Sequence, residues 1–216
     1  MRSLFLAGCI AFGYCTALSA GTLFFSGNLR TDATVTDCGP MCTLGASNTD
    51  GDFAQWAAFV TSFTLGSASD VQAITYGYGG GTSVTGPAVN PGGLEPYLTL
   101  FDAAGNFVAS TFSGTYCPSG AQFFNGQCND VLLDAGVLAA GTYQIALTAF
   151  SNLSFAENLG TGTLADGFTG LGNLFDGESL DFAFDVVTTS QTATPEPATW
   201  LLCLAAGSVA MLIRRR

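Results

Sequence analysis

Short runs of alternating apolar and polar residues, separated by glycine-rich turns, are the feature that most restricts how this chain folds. In the clearest run, from Thr142 to Ala149, Tyr143, Ile145 and Leu147 alternate with polar or small residues. Successive side chains of a strand point to opposite faces, so such runs predict strands with one buried face. The predicted strands are residues 22–29, 59–65, 71–78, 97–101, 107–111, 131–133, 142–149 and 182–186.

The overall composition agrees with an all-β fold. The chain of 216 residues contains 28 Gly and 18 Phe, and only 10% of its residues are charged. A helical domain needs more Glu and Lys on its surface than this. About eight short strands with turn signals between them predict a single β-sandwich of jelly-roll character.

The charge balance excludes several classes of function. The chain has no Lys and no His, and of its sixteen acidic residues only Glu196 lies outside residues 21–194. That segment contains one basic residue, Arg30, and therefore carries fourteen net negative charges. Such a surface repels nucleic acid and lacks the cations that hold phosphate groups. We expect no nucleic-acid partner.

The first 20 residues have the features of a secretory signal peptide. Arg2 precedes an apolar stretch from Leu4 to Leu18, and small residues up to Ala20 form a site for signal peptidase. This order of charge, apolar stretch and small residues is typical of an export signal. The run from Leu6 to Cys9 also resembles a lipoprotein box, which leaves lipidation as an alternative.

The last 22 residues combine three elements of a membrane-associated tail. Pro195-Glu196-Pro197 is followed by the apolar segment Ala198 to Ile213 and by Arg214-Arg215-Arg216. The prolines keep the backbone extended and unpaired, and the arginines hold the end on the cytoplasmic side. The apolar segment is shorter than the roughly 20 residues of a permanent span, which favours a transient hydrophobic helix. A plain single-pass anchor is the alternative.

This tail resembles the PEP-CTERM sorting signal. The resemblance implies that an exosortase in the inner membrane recognises Pro195, Glu196 and Pro197, removes the helix and releases the domain to the cell surface or the exterior. Proteins with this signal are associated with exopolysaccharide and biofilm, so the resemblance also implies exopolysaccharide as a partner.

The chain divides into four segments. Residues 188–194 are polar and contain no large apolar residue, which predicts a linker. The four segments are therefore a signal peptide at 1–20, a β-sandwich at 21–187, the linker at 188–194 and a sorting tail at 195–216. Within the sandwich, Leu98 to Asp102 and Ala140 to Tyr143 are similar to the pre-peptidase C-terminal sandwich and to uncharacterised secreted domains found with PEP-CTERM tails. This resemblance implies a β-sandwich fold and an exported location. It implies no particular chemistry, because none is established for these domains.

Four of the seven cysteines fall in the predicted sandwich. Cys38 and Cys42 are four residues apart, and Cys117 and Cys128 are eleven apart. An even number in an exported domain predicts disulfides, and we expect these two local pairs. Zinc is the competing interpretation, but the chain offers no His to complete a site with Cys38 and Cys42.

No catalytic constellation is recognisable in the sequence. A serine or cysteine hydrolase of the usual kind needs a His base, which the chain lacks. The only candidate cofactor is calcium, with Asp102, Asp130 and Asp166 as its ligands, since these lie in turn-like segments of an acidic domain. The alternative for each Asp is that it stabilises its own turn.

We therefore expect a non-catalytic surface or extracellular matrix protein. The alternative is a carbohydrate-active enzyme or carbohydrate-binding module, because a glycosidase needs only two carboxylates. Two carboxylates facing a shared groove with aromatic rings would favour that alternative.

Overall fold

The computed structural model describes residues 20–35, 57–111, 114–159, 162–172, 174 and 177–191. The chain divides into two units, and Ser19–Gln191 contains all the described residues. The other unit, residues 1–18 and 192–216, lies outside them. Within the described ranges, no helix is both long and apolar enough to span a membrane.

Two four-stranded antiparallel sheets form the domain. The front sheet has the strand order β1 (Ala20–Asn28), β10 (Asp181–Ser190), β3 (Ser69–Thr75) and β8 (Leu132–Leu138). The back sheet has the order β2 (Ala58–Leu65), β9 (Gly141–Ala149), β6 (Pro96–Asp102) and β7 (Phe107–Ser110). The chain changes sheet at each connection between these eight strands except the β6–β7 turn, which is jelly-roll connectivity. The predicted β-sandwich is confirmed.

Five short elements complete the secondary structure of the described residues. A small ribbon pairs β4 (Gly81–Thr82) with β5 (Ala88–Val89). Two short helices, α1 (Leu29–Asp32) and α2 (Phe155–Leu159), and a 3-10 helix at Leu164–Asp166 lie in the connections between strands.

The core lies between the inner faces of the two sheets. On β10, Phe182 and Phe184 point inward, as the alternation predicts, and both are buried. Their rings lie 4.6 Å from Phe59 of β2 and 5.0 Å from Phe25 of β1, respectively, measured between ring centroids. The Phe59–Phe182 contact joins the two sheets, and the Phe25–Phe184 contact joins neighbouring strands of the front sheet. Both bury apolar surface, the main favourable term in folding.

The outer face of each sheet is partly covered. On the back sheet, Phe101 of β6 is buried against Ala156 of α2 and Phe168. Glu157 fixes α2 in place by accepting hydrogen bonds from Tyr97 and, at 2.7 Å, from Ser110 Oγ. On the front sheet the ribbon is fixed by Asp185 of β10, which accepts hydrogen bonds from the β4–β5 connection.

The two ends of the sandwich differ in the length of their connections. At one end, short turns link β2 to β3, β6 to β7 and β8 to β9 through residues 66–68, 103–106 and 139–140. At the other end, residues 29–57, 76–95, 111–131 and 150–180 form long connections. Binding residues concentrate in loops held by a rigid scaffold, so this loop end is where a site is expected.

Three predicted strand ends differ from the structure by three residues or more, and the largest difference is at 131–133, where β8 runs Leu132–Leu138. We expected a strand to reach Tyr78, but β3 ends at Thr75, because the backbone amides of Tyr78 and Gly79 donate to the Asp130 carboxylate instead of to a strand. The predicted linker at 188–194 begins inside β10, which continues to Ser190 because residues 188–190 pair with 69–71 of β3.

Candidate functional site

A polar cavity opens at the loop end of the sandwich. It has a volume of about 400 Å³, and we call it the loop-end cavity. Its lining comes from three separate connections and contains two carboxylates, three carboxamides and one phenol ring. The lining residues are Tyr78, Glu95, Asn125, Gln127, Asn129 and Glu178.

Asp130 holds Tyr78 at the edge of this cavity. The Asp130 side chain is fully buried, and its Oδ1 accepts hydrogen bonds from Thr75 Oγ at 3.0 Å and from the Tyr78 amide at 3.1 Å. Its Oδ2 accepts from the Gly79 amide at 2.8 Å. Burial raises the pKa of Asp130, against the opposing effect of these hydrogen bonds. Asp130 therefore acts as an internal brace next to Asn129, which lines the cavity.

A tight hairpin supplies two of the three carboxamides. Phe124 and Gln127 exchange backbone hydrogen bonds of 3.0 and 2.9 Å around Asn125 and Gly126. Both central residues have positive φ, 49° and 76°, as a type I′ turn requires and as an Asn-Gly pair readily adopts. The turn orients Asn125 and Gln127 toward the same cavity.

A disulfide closes the base of this loop. Cys117 and Cys128 are joined, with their Cα atoms 5.3 Å apart, and this is one of the two pairs that the sequence predicts. Cys128 is buried and immediately precedes Asn129 and the brace Asp130. A cross-link of this kind restricts the conformations of an otherwise long loop.

The two carboxylates of the cavity interact electrostatically. Burial, followed by the negative charge of Glu178, raises the pKa of Glu95. Burial and then the charges of Glu178 and Glu95 also raise the pKa of the Tyr78 phenol. The cavity therefore has a negative potential, because its lining contains two carboxylates and no cationic side chain.

Close packing fixes the floor of the cavity. The Phe124 ring contacts Tyr78 edge-on, with centroids 5.7 Å apart. Gly93, with φ of 80°, lies under both Phe124 and Glu178: a Cβ at this position would approach the Phe124 ring to 2.6 Å and Glu178 Cγ to 2.9 Å. Only glycine fits here without moving two elements of the site.

A second, larger depression lies where the ends of β1 and β10 meet the ribbon. It has a volume of about 560 Å³, and we call it the sheet groove. Asn28 links its two exposed carboxylates, since the Asn28 amide donates to Asp32 Oδ2 and its Nδ2 donates to Asp181 Oδ1, both at 2.7 Å. Phe24 and Asn90 also line it.

The structure places the three candidate calcium ligands in different roles. Asp102 accepts from the Ala104 and Asn106 amides, both at 2.9 Å, inside the β6–β7 turn. Hydrogen bonds from the Asn106 side chain and then its amide lower the pKa of Asp102. Asp166 accepts from the Thr163 amide at 2.6 Å at the start of the 3-10 helix, and Asp130 is the buried brace.

These three carboxylates do not form one cluster. Across the described ranges, no group of three or more His, Cys, Asp or Glu side chains is placed to share a metal ion. Asp102 and Asp166 stabilise their own turns, the alternative that the sequence left open, whereas the amides that donate to Asp130 belong to the distant residues Tyr78 and Gly79. Calcium binding stays an untested prediction.

Several other predicted site residues lie outside the described residues. These are Cys38 and Cys42 and the sorting residues Pro195, Glu196, Pro197, Arg214, Arg215 and Arg216.

Sequence reasoning did not identify the loop-end cavity. Its residues are dispersed over 78–178, and the jelly-roll connectivity alone brings them together. One local signal was present: three carboxamides, Asn125, Gln127 and Asn129, fall within or beside the loop closed by Cys117 and Cys128. A polar run in a cross-linked loop indicates a surface kept in a fixed shape for binding.

The fold and these surfaces define the class of protein: an acidic jelly-roll sandwich with its polar cavities at and near the loop end. The model of the PEP-CTERM protein-sorting motif matches residues 193–216 of this chain, which includes Pro195 and the terminal arginines. The chain thus carries an exosortase sorting signal, and this signal implies an exported protein that is processed at the membrane and delivered to the cell surface. Comparison with curated proteins gives no match.

Proposed function

We propose that this protein is a non-catalytic component of the extracellular matrix that binds neutral exopolysaccharide in its loop-end cavity. The observation that carries this proposal is the chemistry of the lining, two carboxylates and three carboxamides beside the Tyr78 ring. Carboxylates accept hydrogen bonds from hydroxyl groups, while carboxamides both donate and accept them. The hydroxyl groups of a sugar can form hydrogen bonds with both the carboxylates and the carboxamides.

The shape of the cavity supports a small polar ligand. Its volume of about 400 Å³ lies within the range of small-molecule sites. The type I′ turn and the disulfide hold Asn125 and Gln127 before a ligand arrives, which reduces the entropy lost on binding.

The charge of the domain restricts which polysaccharide can bind. Glu95 and Glu178 lie in the cavity, and residues 21–194 carry fourteen net negative charges. A polymer of uronic acids would be repelled by this field. We therefore expect uncharged sugars to bind in preference to acidic ones.

Delivery by an exosortase is consistent with a partner in the extracellular matrix. A non-catalytic binding domain outside the cell has access to secreted polysaccharide, and many weak contacts along a polymer add up through multivalency.

Isothermal titration calorimetry on the exported protein, purified under oxidising conditions, tests the proposal. The probes are cellohexaose, laminarihexaose and chitohexaose, with hexagalacturonate as the acidic comparison. We expect saturable binding of at least one neutral hexasaccharide and none of the hexagalacturonate. Failure of all three neutral probes to bind, or preferential binding of the acidic one, overturns the proposal.

A matched pair of variants locates the binding site. Gln127→Ala removes a carboxamide from the cavity and should weaken binding roughly threefold to tenfold, the value of one hydrogen bond. Gln144→Ala makes the same change on β9, near the short-turn end, and should leave affinity unchanged. Equal effects of the two variants would contradict the cavity as the site.

Glycoside hydrolysis is the second candidate function. The raised pKa of Glu95 beside a second carboxylate is what a general acid for glycosidic cleavage requires. Prolonged incubation with the bound hexasaccharide distinguishes the two functions. The non-catalytic proposal expects no new reducing ends, whereas release that is abolished in Glu95→Gln would establish the enzyme instead.

A further inference from the structure

We infer that the loop-end cavity and the sheet groove are two parts of one extended cleft that binds a polysaccharide along its length. This inference rests on the proposed function, because it concerns how the same ligand continues beyond the cavity.

Two neighbouring segments run from one depression to the other. The first leads from Asn90 in the sheet groove to Glu95 in the loop-end cavity, and the second leads from Asp181 back to Glu178. The segments lie side by side, since the Ser179 amide donates to the Gly92 carbonyl at 2.7 Å. One strip of backbone therefore connects both depressions.

This strip is shorter than an oligosaccharide chain of several sugar units. Three residue steps separate Glu178 from Asp181, so their Cα atoms lie at most about 11 Å apart. That distance corresponds to roughly two pyranose units, judged from ordinary covalent dimensions. An oligosaccharide that fills the cavity reaches the groove with its next units.

Between the two depressions, the described residues 91–94, 179 and 180 of this strip present no large exposed side chain. Pro91, Gly92 and Ser179 are the partly exposed residues of the strip, while Leu94 and Leu180 are buried beneath it. A strip with only small side chains at its surface can separate two subsites without interrupting a flexible polymer.

The chemistry of the groove matches that of the cavity. Asp32 and Asp181 provide exposed carboxylates, Asn28 and Asn90 provide carboxamides, and Phe24 adds a partly exposed aromatic ring. Both parts therefore favour the same class of ligand, an uncharged chain with many hydroxyl groups.

The dependence of affinity on chain length tests this inference. The neutral series that binds in the calorimetric assay is measured as its disaccharide, tetrasaccharide and hexasaccharide. We expect the hexasaccharide to bind about tenfold more tightly than the disaccharide, since the longer chain adds hydrogen bonds in the groove.

Two variants separate the subsites. Asn90→Ala should reduce binding of the hexasaccharide and leave the disaccharide unaffected, whereas Gln127→Ala should weaken both. Circular dichroism spectra and thermal midpoints equal to those of the native protein establish that both variants fold.

The outcomes distinguish this inference from the proposed function. If no member of the series binds, the proposed function fails and the extended cleft fails with it. If the disaccharide binds as tightly as the hexasaccharide, or if Asn90→Ala leaves hexasaccharide binding intact, the cavity is an isolated site. The extended cleft is then wrong, and the proposed function stands.

Discussion

The Tyr76 hydroxyl donates a hydrogen bond of 2.8 Å to Asp185 Oδ2, and both side chains are buried on the front sheet. The same carboxylate accepts from Ser83 Oγ at 2.9 Å and from the Val84 amide at 2.7 Å. Burying a carboxylate without a nearby cation costs free energy, and hydrogen bonds from such donors offset that cost. Asp185 thus attaches the β4–β5 ribbon to β10 and fixes one wall of the sheet groove.

Tyr76→Phe should destabilise the domain by removing one donor to this buried carboxylate. A hydrogen bond to a charged group contributes roughly 1.5–3 kcal/mol, so we expect the free energy of unfolding to fall by about 2 kcal/mol. Urea denaturation measures the change. Tyr143→Phe is the matched control: the Tyr143 hydroxyl donates to the Ala139 carbonyl in an exposed setting, and its loss should cost less than about 0.5 kcal/mol. Equal losses would show that Asp185 does not depend on Tyr76.

Gly93→Ala should disrupt the loop-end cavity as well as lower stability. Gly93 and Gly126 both have positive φ, so alanine at either position is strained by roughly 1–2 kcal/mol. At Gly93 the new Cβ also meets Phe124 and Glu178, whereas at Gly126 nothing lies within 4 Å. We expect Gly93→Ala to cost about 1–3 kcal/mol more than Gly126→Ala and to abolish oligosaccharide binding. Similar effects of both variants on stability and binding would contradict this packing.

The strands were predictable from the sequence because the inward face of each is set by alternation. Phe182 and Phe184 point into the core, on the face that the alternation within 182–186 predicts. The alternation does not reveal whether another element covers the outward face of a strand. Asp185 alternates in sequence with Phe184 and Val186 and so falls on the opposite face of β10, where the ribbon buries it completely.

The candidate site was not predictable for a related reason. Glu95 and Glu178 are far apart in sequence, and their proximity depends on long-range connectivity, to which local patterns are insensitive. Asp102 and Asp166 were correctly placed in turn-like segments, but a turn-forming Asp and a metal ligand look alike in sequence. Hydrogen-bond partners, such as the Ala104 amide for Asp102, distinguish them only in the structure.

Removing the disulfide should weaken both stability and binding. The double variant Cys117→Ser/Cys128→Ser opens a loop of eleven residues, which should lower the free energy of unfolding by about 3 kcal/mol on the chain-entropy model. Asn125 and Gln127 lie within this loop, so oligosaccharide affinity should fall as well. Urea denaturation and calorimetry measure the two effects.

Reduction of the native protein gives an independent check on the disulfide. Treatment with dithiothreitol should reproduce the loss of affinity seen in the double variant, and the double variant itself should not respond to dithiothreitol. Unchanged binding after confirmed reduction would mean that the hairpin around Asn125 keeps its shape without the cross-link.

The domain should become less stable as the pH rises from mildly acidic to neutral. The pKa values of Asp130 and Glu95 are raised above their ordinary values of 3.8 and 4.5. Between the ordinary and the raised value the folded state binds more protons than the unfolded state, so the free energy of unfolding falls with increasing pH and then levels off. The lowered pKa of Asp102 acts in the opposite sense, and its stabilisation is lost only as the pH falls below its ordinary value of 3.8.

Glu95→Gln isolates the contribution of the loop-end cavity to this pH dependence. The variant removes the carboxylate that burial and Glu178 disfavour, so it should be more stable than the native domain at neutral pH. It should also show a shallower decline from mildly acidic to neutral pH, while the part due to Asp130 remains. Urea denaturation at a series of pH values measures both slopes. A native domain whose stability rises from pH 5 to pH 8, or a variant with the native slope, would show that Glu95 is not held in an unfavourable ionised state by its surroundings.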